Sequence, residues 1–394
     1  MCYEMNNRLK NYLNYDAVKI FMKNMGLVSS GIKSDILTRV ETSINDGSLP
    51  ITNWETFVVN QLKNGHIRTI YRSKLNPASL IKVKNKLRLT ESLVQAGLTS
   101  EPFSSVINAI PDTDEPELIH YSYMNSDDDI SLIEMCFAYQ IWTNKAIDEN
   151  EFIQVDETDY VWIEIDIVNE ILTISLRPRS NTNESSGRTY QIFNIYTAFL
   201  TDLFSIRYLS NDDFKSVLYN IFRELTSKAE TPYVQKVAPL VEEINELCGR
   251  YAITLGLPSS QEPVNLPFRF KRLLERALIQ DDFFNFKSYS DGKIGTIEKF
   301  FYADDTGARV NASANEGDGI ELSDIYFDTR ETIDDQMKFN KLWVNWFLPE
   351  GHATKVTNVR LEANTNYYLI HFFKYLSGGE RDHVLSAIET FREL

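Results

Sequence analysis

Residues Tyr160–Ile167 alternate strictly between two kinds of side chain. Valine and isoleucine occupy every second position, and the positions between them hold Tyr160, Trp162, Glu164 and Asp166. A period of two places these sets on opposite faces of an extended strand, one of which is buried. Asn169-Glu170 is suited to a tight turn into Ile171–Leu176. The pattern therefore predicts an antiparallel hairpin within a β-rich segment, residues 117–180.

After Arg188 the apolar residues recur at three and four positions, which is typical of helices packed on a core. The clearest stripe comprises Ile192, Ile195, Tyr196, Phe199, Leu200 and Leu203. The same spacing predicts helices at residues 212–228, 232–255 and 268–280, then short strands and turns at 283–327, then helices at 334–347 and 377–394. Strands and helices in separate runs indicate the α+β class.

Proline and small polar residues between Thr99 and Asp114 indicate a loop and a domain boundary. We expect three segments: a helical module with a basic extension at residues 1–98, a β-rich part followed by helices at 115–280, and a mixed part at 281–394. Within the first segment the prolines Pro50 and Pro77 mark breaks between helices.

The first module begins with two short helices. Asp16 can cap a helix whose apolar face is Val18, Phe21, Met22 and Met25, and Gly26-Leu27 ends it. A second helix starts after Ser30-Gly31, with Ile36, Leu37, Val40 and Ile44 on its apolar face. The spacing predicts two helices joined by a tight turn.

This stretch, residues 13–40, resembles the SAP motif, a helix–extended turn–helix module known for binding DNA. The resemblance rests on the first apolar face, Gly26-Leu27, Gly31-x-Lys33, Asp35-Ile36-Leu37 and Arg39-Val40. It implies that the start of the second helix, with Lys33 and Ser34, faces a phosphate, since helix amino termini favour anions. Lys19, Lys23 and Arg39 are further candidates, although Arg39 can instead pair with Asp35. Similar modules bind protein or RNA, or serve only as scaffold.

A second basic stretch, residues 61–89, has no acidic residue. Its candidate DNA contacts are Lys63, Arg68, Arg72, Lys74, Lys82, Lys84, Lys86 and Arg88. We expect it to extend the phosphate-binding surface; the alternative is a solvated linker. About five neutralised phosphates predict a slope of about −4 to −5 for log affinity against log salt. A third cluster, Arg269, Lys271, Arg272 and Arg276, is expected to pair with acidic residues of the chain.

The charge distribution supports a basic module attached to an acidic body. Residues 1–100 hold 14 Lys and Arg against 7 Asp and Glu, whereas the whole chain has a net charge of −16. We expect double-stranded DNA as one partner, and the acidic body to serve a protein partner or self-association, in genome maintenance or antiviral defence. Tyr160 and Trp162 are candidates for that interface if their face is exposed.

The sequence predicts a cytoplasmic protein without membrane contact. Its three cysteines are far apart, it has no signal sequence, and it has no apolar run of about 18 residues.

Linear catalytic motifs are absent from the sequence, and no cofactor or metal is expected. Leu376–Glu380 resembles the signature loop of ABC-type ATPases, but the chain has no P-loop, and Ser377 is explained as a helix cap. The acidic groups Asp112–Glu117, Asp127–Asp129 and Glu164-x-Asp166 leave a Mg²⁺-dependent DNA nuclease as an alternative, with Asp166 as its test residue. A protein adaptor that never contacts DNA is the other alternative.

Overall fold

The computed structural model describes residues 2–99, 101–107, 115–126, 129–146, 152–179, 188–257, 265–289, 292–303, 309–314, 318–350 and 353–392. The chain forms two compact units. The first comprises Met1–Phe214 and Val359–Ser386, and the second comprises Lys215–Asn358 and Ala387–Leu394. The first unit therefore contains the described residues of the predicted basic module together with the predicted hairpin.

An antiparallel sheet forms the centre of the first unit. Its strands are β1 (Thr69–Lys74), β2 (Phe103–Ser104), β3 (Glu117–Ser126), β4 (Asp129–Ala146), β5 (Phe152–Asp166), β6 (Ile171–Leu176), β11 (Tyr368–Phe372) and the part of β10 (Ala353–Ala363) that starts at Val359. The order across this sheet is β2-β3-β4-β5-β6-β1-β11-β10. The hairpin of β5 and β6 is the predicted one, with Asp166 opposite Ile171.

Helices cover both faces of this sheet. They are α1 (Asn7–Tyr12), α2 (Tyr15–Asn24), α3 (Lys33–Asn45), α4 (Ile51–Asn64), α5 (Ile81–Lys84), α6 (Lys86–Gln95) and α7 (Thr189–Phe204), and α13 (Gly378–Thr390) begins in the same unit. Val161, Ile163 and Ile165 pack with α5, α6 and α7 on one face. Tyr160 and Trp162 pack with α1 to α4 on the other. The unit is therefore a sheet between two helical layers.

The predicted exposed face of β5 is the main correction in this unit. Tyr160 is 2% exposed and Trp162 is 1% exposed, because the apolar sides of α1 to α4 lie against them. Neither ring is available to a partner, so the interface suggested for them is wrong. The helices supply the apolar partner that two large aromatic rings require.

Strand β1 was also unexpected, because residues 1–98 read as helical. Its first three residues, Thr69 to Tyr71, are all buried, so the alternation that reveals a half-buried strand is missing. It lies between β6 and β11, and Ile70 is opposite both Ser175 and Ile370.

The second unit combines helices with a smaller sheet. Its helices are α8 (Phe214–Val237), α9 (Val241–Leu255), α10 (Leu266–Asp281), α11 (Phe283–Ser288) and α12 (Asp324–Gln336). Its strands are β7 (Gly295–Ala303), β8 (Arg309–Ser313), β9 (Lys341–Glu350) and the first part of β10. The order across this sheet is β8-β7-β9-β10.

The helix predicted at 334–347 is wrong after Gln336. Leu342, Val344 and Trp346 are buried at every second position, which is the period of a strand.

Strands, helices and their segregation confirm the α+β class. Within the described ranges, every helix is too short or too polar to cross a bilayer.

Candidate nucleic-acid interface

The two helices predicted at residues 13–40 are present as α2 and α3. Asn14, rather than Asp16, caps α2 by accepting a hydrogen bond from the Ala17 amide at 3.1 Å. Gly26 adopts a φ of +71° after the helix, and the Leu27 amide bonds back to the Met22 carbonyl, as the Gly-Leu pair predicts.

The connection between α2 and α3 is extended rather than tight, and Arg39 holds it. The Arg39 guanidinium donates to the Val28 carbonyl at 2.8 Å and to the Ser30 carbonyl. The Tyr15 hydroxyl donates to the Gly31 carbonyl at 2.7 Å. Gly31 has a φ of +115°, and a Cβ there would lie 2.7 Å from Arg39 Nη2. Arg39 therefore stabilises the turn, and we remove it from the expected phosphate contacts.

Lys33 is the first residue of α3. Its ammonium donates to the Asn11 carbonyl at 3.2 Å. The start of α3 has no side-chain cap, because the residue before the helix is Ile32. In the first turn Ser34 is exposed, and Asp35 is the acidic residue. Its first amides and the positive end of the helix dipole are therefore open to an anion. Burial lowers the pKa of Lys33, and the charge of Arg177 lowers it further.

Arg177 directly follows β6, and its charge acts on the Lys33 ammonium. Its guanidinium carbon lies 5.7 Å from the centre of the Tyr12 ring. Burial lowers the pKa of Arg177, and the charge of Arg179 adds to the shift. Arg179 itself is paired with Glu157 at 2.6 Å and with Asp159 at 2.9 Å. In the part of the chain that the structure describes, no carboxylate lies within ion-pair distance of Arg177.

His66 completes this group. Its Nε2 hydrogen-bonds to the Tyr12 carbonyl. Burial, followed by the charge of Arg177, lowers the pKa of His66 to about 3, so its imidazole is neutral at pH 7. Lys19 lies on α2, with its ammonium 5.8 Å from the Tyr15 ring. We call Lys19, Lys33, His66 and Arg177 the amino-terminal patch.

Two predicted contacts, Lys63 and Arg68, have structural roles instead. Lys63 forms ion pairs with Glu134, at 2.7 Å, and with Glu164. Arg68 is 2% exposed and donates to the Tyr12 hydroxyl at 2.7 Å and to the Gln61 and Leu62 carbonyls. Both cations satisfy buried or half-buried acceptors, and a phosphate at the surface cannot reach Arg68.

The remaining predicted contacts occupy other places. Lys23 is exposed on α2. Arg72 is half-buried on β1, and Lys74 pairs with Asp213 at 2.6 Å. Arg72 is therefore partly enclosed by the fold, and Lys74 is engaged by Asp213 at the surface.

The cations of α5 and α6 form a separate group that we call the second basic surface: Lys82, Lys84, Lys86 and Arg88. All four are exposed, although Lys82 donates to the Ser205 hydroxyl at 2.9 Å and Lys84 lies 3.1 Å from Asp129. Because α5 and α6 pack on the opposite face of the sheet from α2 and α3, this surface does not extend the amino-terminal patch.

The carboxylates considered for a metal site are used in other ways. Glu164 pairs with Lys63, and Asp166 accepts hydrogen bonds from the Asn169 amide at 2.9 Å and from its side chain at 2.8 Å. No group of three metal-ligating side chains occurs among the described residues. Asp112, Asp114, Asp127 and Asp128 lie outside the described residues.

Other sequence interpretations have clear outcomes. Cys136 is fully buried, and burial raises the pKa of its thiol. Ser377 caps α13, its hydroxyl and amide both bonding to Glu380 Oε2. In the third basic cluster, Arg272 pairs with Glu275 at 2.6 Å and Arg276 with Asp328 at 2.7 Å, as expected.

Sequence reasoning missed Arg177 as a member of the site, and it placed His66 in the basic stretch 61–89 without choosing it as a contact. The available signal for Arg177 was Arg177-Pro178-Arg179 directly after a predicted strand, but nothing local indicates that this end of β6 lies beside the start of α3. No model of a known protein family matches this chain, and comparison with curated proteins gives no match.

Proposed function

We propose that this chain binds double-stranded DNA through phosphate contacts at the amino-terminal patch. One observation carries the proposal: Arg177, which no carboxylate pairs within the described residues, lies over the Tyr12 ring, and its charge acts on Lys33 at the uncapped start of α3. Two cations near one another repel, and an anion bound beside them offsets this repulsion. A phosphate group supplies such an anion.

The start of α3 supports the same ligand. Its unpaired amides add hydrogen-bond donors to the positive charge of Lys33, and this combination recurs at phosphate sites. The resemblance of residues 13–40 to the SAP motif also favours DNA. Arg177 alone in the patch carries a forked pair of donors, and Lys19 and Lys33 present point charges, so we infer binding without strong sequence preference. A cytoplasmic location belongs to the same proposal.

The number of cations in the patch sets the salt dependence of DNA affinity that we expect. Lys19, Lys33 and Arg177, with Lys23 beside them on α2, neutralise about three to four phosphates, fewer than the sequence implied. Each contributes about −0.9 to the slope of log affinity against log salt on duplex DNA. We therefore expect a slope of about −3 to −4 for the whole chain.

Fluorescence anisotropy with a labelled duplex across a range of KCl concentrations tests the proposal. The double variant Lys33→Gln, Arg177→Gln should make the slope shallower by about 1.8, since two contacts are lost. The matched control is Lys84→Gln, Lys86→Gln, which removes two cations from the opposite face of the sheet and should leave the slope unchanged. If only the control substitutions make the slope shallower, DNA lies on the second basic surface, and the proposal is refuted. Absence of binding at low salt would favour the protein adaptor.

A further inference from the structure

The second unit contains a cavity of about 320 Å³ between α8, α10 and α12. This volume lies at the lower end of the range typical of small-molecule sites. All of its lining residues belong to the second unit, so it is distinct from the amino-terminal patch.

The lining has more cations than carboxylates. The cations are Arg223, Lys271, Arg272 and Arg330, and the carboxylates are Glu230, Glu275 and Asp334. The carboxylates are already paired: Arg330 lies 2.9 Å from Glu230 and 2.8 Å from Asp334, and Arg272 lies 2.6 Å from Glu275. The surplus positive charge favours an anionic ligand.

Burial raises the pKa of Glu230 to about 7, which strengthens this surplus. Its Oε1 accepts hydrogen bonds from the Tyr326 hydroxyl and from Arg330. At neutral pH part of its negative charge is therefore absent, and the cations around it are less fully compensated.

Two lining side chains carry buried atoms that have no hydrogen-bond partner among the residues placed by the structure. These atoms are Arg223 Nη1 and Glu275 Oε1. Arg272 binds the other oxygen of Glu275, Oε2, and the Lys271 ammonium lies 3.7 Å from Oε1, which is too far for a hydrogen bond. Arg223 is close to Asp334 only through its Nε, at 3.8 Å. Unpaired buried polar atoms are costly, so a ligand that offers an acceptor to Arg223 and a donor to Glu275 is favoured.

Aromatic rings supply a third feature. Phe268 lines this cavity and also a neighbouring one of about 270 Å³, where Arg276 lies 5.3 Å from the Phe327 ring centre. An aromatic side chain beside arginines suits a planar ring that carries a phosphate, because the ring packs on the aromatic face while arginine binds the phosphate.

We propose that this cavity binds a nucleoside monophosphate. The phosphate contacts Arg223 and Lys271, the base packs against Phe268, and an amino or hydroxyl group of the nucleoside donates to Glu275. The site is independent of DNA binding by the first unit, and either can fail without the other.

Isothermal titration calorimetry of the full chain with adenosine monophosphate, adenosine and inorganic phosphate tests this site. We expect the monophosphate to bind at least ten-fold more tightly than the other two. Arg223→Gln should weaken it at least ten-fold, and Lys271→Gln should weaken it as well, because each removes one of the two proposed phosphate contacts. The control Arg309→Gln, an exposed arginine of β8 that lines neither cavity, should leave the affinity unchanged.

Three results would overturn the proposal: no binding of the monophosphate, affinity no higher than that of inorganic phosphate, or equal weakening by Arg309→Gln. Circular dichroism of each variant shows whether it is folded. If Arg223→Gln does not fold, Lys271→Gln decides the question, since the Lys271 side chain is 32% exposed and its loss leaves the ion pair of Arg272 with Glu275 in place.

Discussion

Lys63 gives the sharpest test of the first unit, because the sequence predicts a DNA contact and the structure shows an internal ion pair. Glu134 and Glu164 are directly opposite each other on β4 and β5, and Lys63 lies between them. Burial alone would lower the pKa of Lys63, but the charges of Glu164 and Glu134 outweigh burial and raise it. The variant Lys63→Met keeps most of the side chain's length and removes its charge.

The expected cost follows from what Lys63→Met leaves behind. Two carboxylates then face each other across adjacent strands without a cation, and like charges in this position destabilise a sheet. Removing one partner of a fully buried pair costs about 3–5 kcal/mol. Because the side chains of Lys63 and Glu164 keep 23% and 19% of their exposure, water compensates part of this, and we expect about 2 kcal/mol.

Urea denaturation followed by tryptophan fluorescence measures the change in the free energy of unfolding. The triple variant Lys63→Met, Glu134→Gln, Glu164→Gln should recover most of the loss, because no uncompensated charge remains. The salt dependence of DNA affinity should stay unchanged in Lys63→Met. A loss of stability below about 0.5 kcal/mol, or a slope shallower by about 0.9, would show that Lys63 faces solvent and DNA.

Three further outcomes are expected. Gly31→Ala should destabilise the turn before α3 and weaken DNA binding, because its Cβ would meet the Arg39 guanidinium at 2.7 Å; equal affinity in anisotropy would contradict this. Folding lowers the pKa of His66 to about 3, whereas in the unfolded chain the imidazole takes up a proton below about pH 6.5. The stability present at pH 7 should therefore decline as the pH falls, by up to about 2 kcal/mol at pH 5. Urea titrations at several pH values should show a flatter dependence of stability on pH for a His66→Asn variant. Trp162→Ala should lower the free energy of unfolding by about 3–5 kcal/mol, since the ring is buried under the amino-terminal helices. A loss below about 1 kcal/mol would mean that the ring is not buried there.

Local patterns in the sequence predict local structure well here. The hairpin of β5 and β6 follows from alternation and a turn, and α2 and α3 follow from apolar spacing and the Gly26-Leu27 end. Strand β1 could not be predicted in the same way, because a central strand buried on both faces loses its alternation. The strand β9 did carry a readable period of two, and its prediction as helix is an error of interpretation.

The candidate site was predictable only in part. Lys33 was identified from its position at the start of a helix, which is a local property. Arg177 lies far along the chain, and its charge acts on Lys33 only because the end of β6 lies against Tyr12 of α1. Conversely, Lys63 and Arg68 carry the same charge as true surface cations, and only tertiary packing shows that their partners are internal.

Lysine footprinting tests the central claim, that DNA lies on the amino-terminal patch, most directly. The full chain is acetylated with and without a saturating duplex, and the modification of each lysine is measured by mass spectrometry. We predict that DNA protects Lys19 and Lys33 several-fold and leaves Lys84 and Lys86 as reactive as in the free protein. Protection of Lys84 and Lys86 with unchanged Lys33 would contradict the account.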